Sequence, residues 1–232
     1  MPIVAVLHHL ERPFLGHVAT LREAGVTLDE RRLRAGDALP DREAIDGAVL
    51  LGGEQSLTGD VAGFAGEMAW LREAVACELP VLGICLGGQM LARALGGEVR
   101  RAGRVVEWRD LPRTPAGAED PVFGALPDPV PALHWNEDVF EPPPGAVELL
   151  ARGGPGAEAF RAGACAWGVQ YHPDVDLPTL EEWYAEWGAD VAAAGRDLAE
   201  IRAEDARRAG AQAAASRALF ATFAREVARR GA

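Results

Sequence analysis

The stretch Leu79 to Gly96, LPVLGICLGGQMLARALG, constrains the fold more than any other part of the chain. Pro80 to Ile84 is a short apolar run of the kind that forms a buried strand. After Cys85 the apolar residues Leu86, Met90, Leu91, Ala94 and Leu95 recur at three- and four-residue spacings, which predicts a helix. A residue caught between a strand end and a helix start sits on a sharp turn that exposes its side chain, a nucleophile elbow. Gly83, Gly87 and Gly88 allow tight bending and a close approach of substrate. The helix N-terminus directs free N–H groups at the thiol and favours its thiolate form. The rest of the chain has to supply what Cys85 works with.

Composition narrows the field. The chain of 232 residues is long enough for one large domain or two small ones. Hydrophobic residues make up 49% and charged residues 25%, which excludes both a disordered and a membrane-spanning chain. No apolar run reaches spanning length, and the N-terminus lacks the basic start and apolar length of a signal peptide. A cytoplasmic protein with no membrane contact is expected. A net charge of −12 repels nucleic acid. All 23 basic residues are arginine, which removes Schiff-base and P-loop lysine chemistry. The three cysteines, Cys77, Cys85 and Cys165, have neither the parity nor the spacing of a disulfide framework or a zinc site. No metal and no cofactor is expected, and Cys77 and Cys165 read as small buried hydrophobes.

Taken in order, Ile3–His8, Val26–Leu33, Gly47–Leu51 and Pro80–Ile84 read as strands. Helices are expected over Glu11–Ala24 and from about Val61 to Cys77. Strands alternating with helices predict a mainly parallel sheet with right-handed crossovers. From 98 to 172 the pattern changes to short strands and Pro/Gly turns: Glu98–Arg101, Val105–Leu111, Val130–His134, Val147–Ala151, Glu158–Arg161 and Ala164–Tyr171. These predict an antiparallel flank together with strands that complete the main sheet. From Leu177 onward the chain is expected to be helical. Residues 196–230 should form two packed helices broken near Gly210, with Leu219, Phe220, Phe223 and Val227 as the buried stripe. The basic end, Arg225, Arg229 and Arg230, reads as a solvated face.

A cysteine nucleophile needs a base and a group that orients the base. Of the five histidines, His172 follows the apolar strand AWGVQY and begins His-Pro-Asp, which places Asp174 two residues on. Pro173 fixes the backbone between them. For the oxyanion, the N–H of Leu86 follows the nucleophile, and the glycine-rich loop after the third strand makes Gly53 the second candidate donor. His8 and His9, adjacent on a strand, point to opposite faces and would not share a metal. His17 reads as a surface residue.

With GICLGGQ at 83–89, GVQYHPD at 168–174 and LLGG at 50–53, the chain resembles a class I glutamine amidotransferase domain. It is most similar to the stand-alone, GMP-synthase-like group, and the resemblance covers roughly residues 3 to 185. It implies a flavodoxin-like α/β three-layer sandwich over residues 1–190, with 191–232 as a helical extension packed on the same domain. It also implies hydrolysis of the glutamine side-chain amide. Cys85 would form the thioester, and His172 would protonate the departing ammonia and then activate water. Asp174 stands where the family has glutamate. The resemblance makes Gln89 a substrate-pocket residue, along with Trp135 and Asn136 of the His134–Asp138 segment. There Asn136 and Glu137 replace a histidine and a glycine, and Glu158 replaces a glutamine in Glu158-Ala159-Phe160.

Three functional readings follow. The first is a glutaminase supplying ammonia to a partner synthase, since the chain carries no synthase motif of its own. The second is a stand-alone γ-glutamyl peptide or amide hydrolase, and the third a catalytically weak binding or regulatory relative. An α/β hydrolase is disfavoured because its acidic residue precedes the histidine along the chain. The acidic surface and helical tail permit a homodimer.

Overall fold

The computed structural model describes residues 1–59 and 61–230; the last two positions of the expected extension, 231 and 232, lie outside them. A seven-stranded sheet forms the centre, in the order β2-β1-β3-β4-β9-β8-β7. Its parallel part consists of β1 (Ile3–His8), β2 (Thr27–Arg32), β3 (Gly47–Leu50), β4 (Val81–Ile84) and β9 (Ala166–Val169). β8 (Ala159–Ala162) and β7 (Val147–Glu148) extend it antiparallel. The flank is a separate antiparallel pair, β5 (Glu98–Leu111) and β6 (Val130–Glu141). The two strands expected at 98–101 and 105–111 are one strand, interrupted by a register shift between Arg101 and Val105. The glycine at 103, with φ +103°, makes the tight bend there.

The inner strands β1, β3, β4 and β9 bury both faces, their side chains alternating between the two. On one face Val4, Val6, Val49, Leu82, Ile84 and Val169 pack with Leu219, Phe220, Phe223 and Val227 of α6 (Leu198–Arg230). On the other face Ala5, Leu7, Ala48, Leu50 and Val81 pack with α2 (Ala65–Ala76) and α3 (Leu86–Ala94). The result is a three-layer α/β sandwich. No described helix is long and apolar enough to cross a membrane.

Two expected helices are redrawn. Between Glu11 and Ala24 only a 3-10 turn, Gly16–Ala19, and the short α1, Thr20–Glu23, are helical. Pro13 and the positive φ of Gly16, +45°, rule out a continuous helix. In the C-terminal region Gly210 lies inside α6 without a break, flanked by alanines whose helix propensity outweighs one glycine. The break comes earlier, after α5 (Leu177–Ala193). Gly195 takes φ +72°, and the Asp197 carboxylate then accepts the N–H of Ala199 at 2.8 Å and of Glu200 at 3.0 Å, capping the next helix.

Candidate active site

Parallel strands bring their C-terminal ends to one edge of the sheet, where ligands of open α/β folds bind. The ends of β3, β4 and β9 deliver Gly52-Gly53, Cys85 and Gln170-Tyr171-His172 to that edge. Cys85 donates its backbone N–H to Val169 O at 2.8 Å, which ties the two strand ends together. Its φ of 50° and ψ of −108° form the sharp turn between β4 and α3, a conformation L-residues seldom adopt. The helix can start there only because its first turn lies against β3. A Cβ on Gly87 would sit 2.3 Å from Leu50 O.

His172 is buried beside the thiol. Its Nδ1 lies 3.2 Å from Asp174 Oδ1, and the ring lines the same cavity as Cys85. The indole of Trp183, on α5, meets the imidazole edge-on at 5.0 Å between centroids. A Cβ on Gly52 would lie 2.9 Å from His172 Cε1, so only glycine lets this loop close over the ring. Burial pulls the His172 pKa down, but the negative charges of Cys85 and Asp174 and the hydrogen bond to Asp174 outweigh it and push it up to about 10.

The cavity above these residues has a volume of about 360 Å³. All the residues singled out from the sequence except Asp174 line it: Cys85, Leu86, Gly53, Gln89, Trp135, Asn136 and His172. Asp174 lies behind His172 and is fully buried. Gln89 Nε2 donates to Asp138 O at 3.0 Å and faces Gln170 Oε1 at 3.4 Å. Asn136 Nδ2 donates to the same Asp138 carbonyl at 3.1 Å, and its buried Oδ1 has no hydrogen-bond partner among the described residues. Glu137 is held by Arg104 at 3.1 Å, and Arg104 also reaches Asp190 of α5. His134 points away from the cavity and bonds Glu158 at 2.7 Å. His17 is half-buried, not at the surface as expected. Among the described residues no group of three or more His, Cys, Asp or Glu is arranged to hold a metal ion.

The structure adds residues that the sequence pattern did not single out. Gln170 Nε2 lies 3.7 Å from Cys85 Sγ, and its place two residues before His172 on an alternating strand was the available signal. Asp138, 5% exposed, lines the cavity with one carboxylate oxygen that has no hydrogen-bond partner among the described residues, and Arg101 Nε is 3.5 Å from it. Trp183, Trp187 and Asp190 come from α5, and nothing local in the sequence indicates that this helix covers the site.

The pKa of His172 makes a testable prediction with a definite sign. The folded value of about 10 lies above the ordinary 6.5. The protonated ring therefore stabilises the fold fully below 6.5, and this contribution is lost as the pH rises through about 10. Thermal melts of the wild type should fall more steeply across that window than melts of His172→Gln. Parallel curves would contradict the assignment.

An α/β sheet edge carrying a cysteine on a strained turn, with a buried histidine beside it, defines a protein equipped for nucleophilic acyl chemistry. The family model for glutamine amidotransferase class-I matches residues 17–187, and the chain belongs to that family. It is 30% identical over 175 residues to one of the subunits of the glutamine-hydrolysing GMP synthase of Halobacterium salinarum, covering 75% of this chain and 88% of that one. It is 36% identical over 140 residues to the glutamine-hydrolysing GMP synthase of Thermus thermophilus, covering 57% of this chain and only 27% of that longer protein. A solved glutamine amidotransferase from Thermotoga maritima superposes with a TM-score of 0.84 at 25% identity, covering 96% of this chain and 98% of the other.

Proposed function

We propose that the chain hydrolyses the side-chain amide of glutamine through a thioester on Cys85. The observation that carries this reading is the placement of Cys85, on its strained turn, in one cavity with His172, whose ring is bonded from behind by Asp174. The Cys85 thiolate attacks the amide carbon, and the N–H groups of Leu86 and Gly53 receive the developing oxyanion. Protonated His172 gives its proton to the departing ammonia. The neutral ring then takes a proton from water as that water attacks the thioester carbonyl, releasing glutamate and the thiolate. Asp174 orients the imidazole. Gln89, Trp135 and Asn136 form the substrate wall, and the Asp138 carboxylate oxygen that faces Arg101 without a hydrogen bond meets the substrate ammonium. The Halobacterium salinarum relative is one of the subunits of a GMP synthase, and by that likeness the ammonia passes to a separate synthase chain.

The test is turnover of the purified chain on free glutamine, with mass-spectrometric mapping of a glutamine-mimicking diazo-ketone. Modification of Cys85 and release of glutamate are expected. An unmodified Cys85 whose thiol still reacts with a general probe would overturn the reading.

One observation favours a second substrate. A neighbouring cavity of about 660 Å³ shares Leu10, Glu54, Trp183 and Trp187 with the first, and Glu11, Glu182 and Glu186 add carboxylates against one cation, Arg12, which lies 3.8 Å from Glu186. Acidic and indole walls suit a cationic leaving amine. In this reading the substrate is a γ-glutamyl amide of a diamine, and water is the acceptor. Turnover of such a conjugate well above that of glutamine would select it; the reverse ranking would select the glutaminase.

A further inference from the structure

Aspartate is one methylene shorter than glutamate, yet Asp174 comes within 3.2 Å of His172 Nδ1. Its own side-chain bonds do not explain the placement. Asp174 Oδ2 is buried with no hydrogen-bond partner, so among the described residues the bond to His172 is the carboxylate's single hydrogen-bonded anchor. The backbone of the turn, by contrast, is held from three sides. His172 N–H donates to Leu133 O of β6 at 2.8 Å. His172 O accepts from Gln212 Nε2 of α6 at 2.9 Å, and Gln212 is itself buried. Asp174 O accepts the His17 backbone N–H at 2.7 Å.

The third contact depends on Gly16. Its φ is +45°, and a Cβ built there would lie 2.1 Å from Asp174 O, far inside van der Waals contact. The segment before α1 can approach the turn only with glycine at that position. This also accounts for the loss of the helix expected over Glu11–Ala24, because a regular helix could not present both the glycine and the His17 N–H to the turn.

We propose that Gly16, the His17 backbone and Gln212 are positioning residues that clamp the His172-Pro173-Asp174 turn, so that a carboxylate as short as aspartate reaches the imidazole. None of the three is assigned a contact with substrate; they act through Asp174. The proposal rests on reading Asp174 as the group that orients His172.

The test is a double-mutant cycle of Gly16→Ala and Asp174→Glu, read by NMR titration of the His172 ring without substrate and by kcat. Gly16→Ala should push the turn back, lower the His172 titration point below that of the wild type and reduce kcat. On that withdrawn backbone the longer glutamate should restore both, raising kcat roughly tenfold over Gly16→Ala alone, a coupling of about 1.4 kcal/mol. On the wild-type backbone Asp174→Glu should bring no gain, because a methylene is forced into a filled site. Equal losses from Gly16→Ala in both backgrounds, or an unmoved His172 titration, would overturn the clamp. If Gly16→Ala does not fold by circular dichroism, Gln212→Met replaces it in the same cycle and is judged by the same outcomes. Because the titration uses no substrate, a chain inactive on both candidate substrates would sink the functional reading while the clamp is still decided.

Discussion

Replacing Cys85 by serine should lower amide hydrolysis by about four to six orders of magnitude and leave the fold intact. The first half follows from the chemistry. A hydroxyl in the same place keeps its proton at neutral pH, and His172, tuned to hold a proton against a thiolate, is a poor base for removing it. The second half follows from the backbone. The φ of 50° at residue 85 strains serine no more than cysteine, and the site is buried either way. The strain can be measured at the same position. Cys85→Gly removes the Cβ from this conformation, so it should be more stable than Cys85→Ala, by about 1 kcal/mol, while being equally inactive. Denaturant melts of the two variants check the sign. A less stable glycine variant would mean that the turn stores no strain. A further consequence concerns His172: without the thiolate charge its titration should fall from about 10 in Cys85→Ser.

The parts of this architecture that the sequence made legible are those in which one short segment carries the whole signal. The elbow is such a case, since the strand, the reactive residue and the helix lie within eighteen consecutive positions. The inner parallel strands β1, β3, β4 and β9 were legible because both faces are buried, which gives short apolar runs with turn residues at each end. His172 was legible because it ends such a run. Features that depend on two distant segments were not legible. The apolar pattern over Glu11–Ala24 fits a helix, and the close passage of Gly16 over Asp174, which breaks it together with Pro13, is set by a distant segment. Gly210 looks like a break when read locally. The true break needs Gly195 and the Asp197 cap together, and tertiary packing carries α6 through the glycine. The cover of the cavity was hidden for the same reason. Trp183, Trp187 and Asp190 lie on an ordinary helix pattern, and their role is set by Trp135 Nε1 donating to Asp190 at 3.1 Å and by Arg104 reaching across from β5. The substitution at Glu137 is a local departure with a partner elsewhere. A glycine could not pair with Arg101 and Arg104, whereas this glutamate does, so the change belongs with the arginines of β5 and does not stand alone.

Phe223→Ala is expected to cost about 3–5 kcal/mol, a large part of the stability of a typical domain. Phe223 is fully buried and meets Trp167 of β9 edge to face, with ring centroids 6.1 Å apart. Around it Leu219, Phe220 and Val227 complete the stripe that packs on one face of the parallel sheet. Val227 fits so closely that a Cβ on Gly47 of β3 would sit 2.8 Å from its Cγ2. A cavity at Phe223 could not be refilled by small shifts, because the sheet on one side and the helix on the other are both fixed by their own hydrogen bonds. The control is Arg225→Ala, on the exposed face of the same helix, which should change stability by less than about 0.5 kcal/mol. Urea melts of the two variants decide the matter. A cost below about 1 kcal/mol for Phe223→Ala would mean that α6 is an appendage and not part of the core. The effect should also reach the site. β9 ends in the Gln170–His172 segment, and Gln212 of α6 holds the His172 carbonyl, so a loosened α6 releases the base from behind. Phe223→Ala should therefore lose activity at temperatures where circular dichroism still reports a folded protein, and Arg225→Ala should not.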